Sequence, residues 1–216
     1  MRTRTHRSPS RPGRRRHLGF TLMELMVVLA IASVVLGLAV PNFRTFMRNS
    51  RLVSAANDLL GSISLARTEA IKRQLPVAVC ATADPNATPP VCSGAWTQGA
   101  SSAWVVWVDA DNDWVPDNNV NEPVLQRHVA LDNTITVRSD NNGRIKYQLT
   151  GFSSPPSGGI TPTANVAICD LRGTAMTFNG LSAARAVRVS ATGRPRVSNS
   201  KAEVDATLAA IGVACP

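Results

Sequence analysis

From Leu25 to Val40 the chain runs sixteen residues without a charge, and its apolar character reaches back to Phe20 with Glu24 as the one ionisable group. As a helix, a stretch of this length spans the hydrocarbon core of a bilayer. Arg11, Arg14, Arg15 and Arg16 precede it and stay cytoplasmic by the positive-inside bias, which sends the rest of the chain across the inner membrane. Glu24 breaks the pattern. A carboxylate at that depth costs ~2.5–3.5 kcal/mol on insertion scales and calls for a partner. If the chain were cut between Gly19 and Phe20, the freed α-amino group of Phe20 would lie one helical turn from Glu24, within reach in the same chain or across a packed neighbour.

Gly19-Phe20-Thr21-Leu22, followed by Glu24-Leu25 and the apolar run, resembles the cleavage and methylation signal of type IV pilins and type II secretion pseudopilins. The resemblance implies that a prepilin peptidase cuts after Gly19 and methylates the new N-terminus at Phe20. It also implies that Glu24 guides subunits into a helical filament of other pilins. Three other readings fit less well. A secretory signal has an apolar core of about 7–15 residues and a small-x-small site, which Gly37-Leu38-Ala39 would supply. Here the apolar stretch is longer, contains Glu24 and continues in helical period past Val40. Arg15-Arg16 as a twin-arginine signal is one pair within an arginine-rich leader. A plain single-span anchor explains the length and leaves Glu24 without a reason.

Residues 1–19 hold seven arginines and no acid, so seven of the nine formal positive charges belong to a segment read as a discarded leader. Global basicity therefore argues little for an anionic partner, and only local clusters can. About 150–170 residues remain for one domain with a sizeable core. Cys80, Cys92, Cys169 and Cys215 all follow the membrane stretch, in an oxidising compartment where an even count reads as two disulfides. Of the three possible pairings, Cys80 with Cys92 and Cys169 with Cys215 is favoured: the first closes a Pro-rich loop and the second pins the C-terminus to a strand. Zinc is disfavoured, since no spacing is CxxC and the one histidine after the leader is His128.

Beyond Pro41 helical period resumes, with Phe46, Val53, Ala56, Leu60, Ile63 and Ala70 as the apolar stripe. One helix from Phe20 to about Arg73 is expected, bent or loosened at Pro41 and ended by Pro76. Short β-rich runs follow at Val77 to Ala81, Ala103 to Asp109, Val124 to Ala130, Thr134 to Arg138, Arg144 to Leu149, Asn165 to Cys169 and Ala186 to Ala191. Asn142-Gly143 is a hairpin signal, and 151–164 is a surface loop. The fold class expected is α+β and pilin-like: a long N-terminal helix, transmembrane in its first half and amphipathic in its second, packed on a C-terminal antiparallel sheet domain. Its divisions are a basic leader at 1–19, disordered before removal, a transmembrane and filament-core helix at 20–47, and a periplasmic or extracellular domain at 48–216, helical to about 73 and β-rich over 76–216.

Ser64-Leu65-Ala66-Arg67-Thr68-Glu69-Ala70-Ile71-Lys72-Arg73, then Val77 and Cys80, then Trp104-Val105-Val106-Trp107-Val108-Asp109 are similar to the GspH/FimT branch of minor pilins and pseudopilins. The similarity is strongest up to Asp113.

No catalytic set is present: His128 stands alone, as a partly exposed strand residue beside Arg127, and the cysteines are better used as bridges. Asp109, Asp111 and Asp113 open like a calcium loop, but Trp114 takes the place of the turn glycine and Val120 the place of the bidentate glutamate, so an Asp/Asn-rich turn is favoured over calcium. The C-terminal segment says more. Arg185, Arg188, Arg194, Arg196 and Lys201 carry five positive charges with no acid before Glu203. At their centre Gly193-Arg194-Pro195-Arg196 shapes a turn whose two guanidiniums suit phosphate oxygens. The same four residues match the GRxR motif of FimT-type minor pilins, and this resemblance implies DNA contact at Gly193, Arg194 and Arg196 during uptake for natural transformation. The charge cluster adds Arg188 and Lys201, and binding through such phosphate contacts is weak and sequence-independent. The rival is a GspH-like minor pseudopilin of a type II secretion system, in which those arginines are solvated or paired with acids.

Overall fold

The structure, a computed structural model, describes residues 19–94, 96, 102–154 and 163–216. The leader expected at 1–19, apart from Gly19, and residues 155–162 of the expected surface loop lie outside the described residues. The chain divides into two units, residues 1–44 and Thr45–Pro216.

The first element, α1, is a helix over Leu22–Arg73. Thr21 starts it: its Oγ1 accepts the Glu24 N–H at 3.2 Å, and its carbonyl accepts the Leu25 N–H, which satisfies donors that a helix N-terminus leaves free. Before Arg44 nearly every apolar side chain of α1 is exposed, and this is the one helix among the described residues long and apolar enough to cross a membrane. The helix runs on through Pro41, beside which the Asn42 amide donates to the Leu38 carbonyl.

In the second unit α1 buries Leu52, Ala55, Ala56, Leu59, Ser62, Ile63, Ala66 and Ala70. This arc keeps Ala56, Ile63 and Ala70 of the expected stripe but is rotated from it, because Phe46 and Val53 are exposed and Leu60 is half-buried. The alanines explain the rotation: small residues let the helix backbone approach the sheets closely, and the larger Leu52, Leu59 and Ile63 fill the remaining space. Each of those three contributes about 1.5–3 kcal/mol by burial.

Among the described residues nine antiparallel strands follow. They are β1 (Val77–Thr82), β2 (Ala103–Val108), β3 (Val124–His128), β4 (Thr136–Ser139), β5 (Arg144–Tyr147), β6 (Ser153–Ser154), β7 (Ala164–Cys169), β8 (Leu181–Val189) and β9 (Pro195–Ser200), and a helix α2 (Lys201–Ile211) comes last. They form two sheets where the sequence suggested one, in the orders β3-β2-β1-β5-β6 and β4-β7-β8-β9. Asn142-Gly143 is accordingly no hairpin. Asn141, Asn142 and Gly143 all have positive φ, and the corner they make carries the chain from β4, which pairs with β7, to β5, which pairs with β1 and β6. The segment 201–211, expected to be β-rich, is helical.

One core joins α1 to the inner faces of both sheets through Val79, Trp104, Ile145, Ile168 and Val187, among others. The outer face of the first sheet buries Cys80, Val105 and Trp107 under Trp114. α2 covers the outer face of the second, with Val204 and Leu208 against Ala167 and Ala186. Double coverage explains why β1, β2 and β7 are buried at every position and show no alternation. Trp104 ties the layers together: its indole donates to Ser62 Oγ at 2.9 Å, and its ring stacks on His128 at 3.7 Å. Cys80 is bonded to Cys92 and Cys169 to Cys215.

Candidate functional site

The connection from β8 to β9 runs over residues 190–194, with Ala191-Thr192-Gly193 at its tip. The Gly193 N–H donates to the Ser190 carbonyl at 2.8 Å and the Ser190 N–H to the Arg194 carbonyl at 3.1 Å, the arrangement of a type I turn closed by a left-handed residue. Gly193 takes that left-handed position at φ 75°. It is required for a second reason: a Cβ there would lie 2.1 Å from the Gly151 carbonyl oxygen.

Two side chains from other elements hold the loop. Arg67, on α1, donates from Nε to the Gly151 carbonyl at 3.1 Å and from Nη2 to the Thr192 carbonyl at 3.3 Å. The buried Tyr147 hydroxyl, on β5, donates to the Gly193 carbonyl at 3.1 Å. Burial pushes the Tyr147 phenol well above its ordinary value, so it remains a donor at any physiological pH. The turn is therefore mounted on the domain core.

Strand register then sets the arginines. Arg188 on β8 faces Arg196 on β9, and both line a groove of about 550 Å³ together with Arg194, Asn165, Val189 and Pro195. Arg188 Nε donates to Asn165 Oδ1 at 3.2 Å, and Asn165 in turn donates its backbone and side-chain N–H groups to the Asp140 carboxylate at 2.9 and 2.6 Å. Burial raises the Asp140 carboxyl, and the Asn165 bonds act against that. Arg194 and Arg196 are exposed. Arg196 Nη2 pairs with Glu203 Oε1 at 2.9 Å across the start of α2. Glu203 lies below the usual carboxylate range, first through a hydrogen bond from Ser198 and then through the Arg196 and Arg188 charges. Among the described residues no carboxylate pairs with Arg194.

Two members of the expected basic cluster lie elsewhere. Lys201 is not in the groove: its Nζ pairs with Asp205 one turn along α2, at 2.7 Å from Oδ1, because the segment after Ser200 coils into a helix and brings i and i+4 together. The Arg185 guanidinium donates to the carbonyls of Ser182, Ala183 and Ala184. Arg67, Tyr147, Asp140 and Asn165 were not singled out by sequence. No local signal marks them, since each acts on the turn or its arginines across the fold.

The acidic loop is also rearranged. Carboxylate oxygens of Asp109, Asp111 and Glu122 lie within 4.8 Å of one another. Asp113 is not among them, and its Oδ1 accepts the Val115 N–H at 2.7 Å. Trp114 explains the change. It adopts φ 71° in the glycine's place and buries its ring, over which Lys146 Nζ sits at 3.8 Å. That ammonium, itself buried, contacts Asp109 and donates to Asn112 Oδ1 at 2.8 Å. A lysine of the chain thus supplies positive charge inside the loop. Burial lowers the Lys146 ammonium, against the pull of Asp109.

At the N-terminal end Phe20 is exposed, and Glu24 lies in the first turn of α1. The signature of the prokaryotic N-terminal methylation motif matches residues 14–40, the mark of a prepilin-type subunit, and overlaps the helix that is long and apolar enough to cross a membrane. The signature of the type II transport protein GspH matches residues 55–193, and the chain belongs to that family of pilins and pseudopilins. Two crystal structures of the type IV minor pilin FimU from Pseudomonas aeruginosa are similar to it. One is 20% identical, with 68% of this chain and 92% of that one covered and a TM-score of 0.46. The other is 19% identical, with 71% and 92% covered and the same TM-score. No curated protein sequence is significantly similar to the chain.

Proposed function

We propose that the chain is a non-enzymatic minor type IV pilin that contributes to DNA capture for natural transformation. A prepilin peptidase removes residues 1–19 and methylates Phe20, and Glu24 then directs assembly with other pilins. The 20–47 segment lies in the inner membrane and later in the filament core. The domain from 48 onward faces the periplasm and then the cell surface. No cofactor takes part.

The observation that carries the DNA reading is the convergence of Arg188, Arg194 and Arg196 on one groove beside a turn locked by Arg67 and Tyr147. Preorganised guanidiniums bind phosphate with little ordering cost. Affinity at one such site is modest and falls with salt, and many copies along a filament raise it. A GspH-like role in type II secretion is the second reading. It is favoured by the Arg196–Glu203 pair, which already occupies one arginine without a ligand.

The test uses the chain from Phe20 onward in an uncharged detergent, so that the leader's arginines are absent, titrated with duplex DNA at several salt concentrations. Salt-dependent binding is expected, with a loss of about tenfold or more in Arg194→Ala/Arg196→Ala and a gain of a few fold in Glu203→Gln, which frees Arg196. Absence of binding at low salt by the correctly disulfide-bonded chain would favour the secretion reading.

A further inference from the structure

We infer that the groove takes a strand whose bases are unpaired, so that its preferred ligand is single-stranded DNA or a frayed end; this rests on the DNA-binding reading above. The groove's shape and chemistry together carry the inference. At about 550 Å³ it has the size of a small-ligand site, and Val189, Ala191 and Pro195 line it between the arginines. An intact duplex offers a convex, charged backbone with its bases stacked inside, so it can meet the guanidiniums but has nothing apolar to place between them. A strand with free bases does. One base enters against Ala191 and Pro195 while the flanking phosphates take forked hydrogen bonds from Arg188 and Arg194.

The neighbouring tip adds an aromatic. Ser153 donates its N–H to the Ala191 carbonyl at 3.3 Å, so the backbone of Phe152, whose ring is 51% exposed, lies one residue from the groove's Ala191. An exposed ring next to phosphate-binding arginines is the pairing of features that single-strand binding sites use, because every base has a face that stacks. Gly193 makes the juxtaposition possible, since any side chain there would push the tip away from the turn.

The experiment compares a fluorescein-labelled strand of about twelve nucleotides with a duplex of the same length by anisotropy, on the chain from Phe20 onward in an uncharged detergent. The strand is expected to bind at least about fivefold tighter than the duplex. Phe152→Ala, which removes the exposed ring and leaves every arginine, is expected to weaken the strand about threefold while duplex affinity stays within about twofold. A 2-aminopurine at mid-strand gives an independent readout on the unaltered protein: its emission changes as the base leaves its neighbours for the groove. Equal or tighter duplex binding, abolished by the arginine double variant, would overturn the unpaired-base inference and leave DNA binding standing. An unchanged 2-aminopurine signal at saturation would do the same. Binding of neither form would overturn both.

Discussion

Gly193 shows how much one position can decide. Its φ of 75° is costly for any residue with a Cβ, and the Gly151 carbonyl 2.1 Å from where that atom would sit leaves no room to relax. Gly193→Ala is expected to lose about 1–3 kcal/mol and to lower Tm by about 3–10 °C, measured by thermal unfolding. DNA binding should weaken with it although every arginine remains, because the bonds from Arg67 and Tyr147 that aim the turn depend on the close approach. Neutral substitution of an exposed residue such as Arg194 carries no comparable stability cost, so the two kinds of variant separate the frame of the site from its contacts.

Among the elements, the acidic loop after β2 carries a pH dependence of its own. Burial, reinforced by the charges of Asp111 and Asp109, raises the Glu122 carboxyl, although the Asp111 N–H donates to it at 3.0 Å. An acid with a folded-state value above its unfolded one holds more protons when folded. Stability therefore falls as pH rises from the unfolded value through the folded one, and the penalty is complete above the folded value. Glu122→Gln keeps the acceptor and removes the charge, so it is expected to raise Tm at neutral pH and leave it unchanged at the acid end, checked by melts across about pH 4 to 7. An unaltered drop would assign it to Asp140, which burial raises as well. The elements themselves were mostly legible in the sequence, because α1 and the inner strands announce themselves by local period and β-branched content. What escaped was set at a distance or by weak local signals. Two sheets replace one because the Asn141–Gly143 corner turns the chain between layers. β9 begins at a proline and ends in Ser198-Asn199-Ser200, and α2 is short, its four alanines leaving only Val204, Leu208 and Ile211 to mark an apolar face. At the site, Gly193 to Arg196 could be read as a motif, whereas Arg67 reaches Gly151 and Thr192 across separations of 84 and 125 residues, which no local pattern encodes.

At the scale of the whole molecule, two covalent links of different span hold the domain after Arg44. Cys80–Cys92 closes a separation of 12 residues and Cys169–Cys215 one of 46. In the chain-entropy account the longer link restricts the unfolded chain more, by about 1 kcal/mol. Cys169→Ser/Cys215→Ser is therefore expected to lower stability by that much more than Cys80→Ser/Cys92→Ser, compared by denaturant unfolding of the two double variants. The longer link also encloses β8, the basic turn, β9 and α2 in a single covalent ring. Tension applied at Pro216 enters Cys215, crosses the sulfur bridge to Cys169 and passes directly into β7. Residues 170–214 lie off that load path. Load taken up by the arginines would instead enter inside the ring, and the bridge would let it leave toward β7 from both ends of the enclosed segment at once.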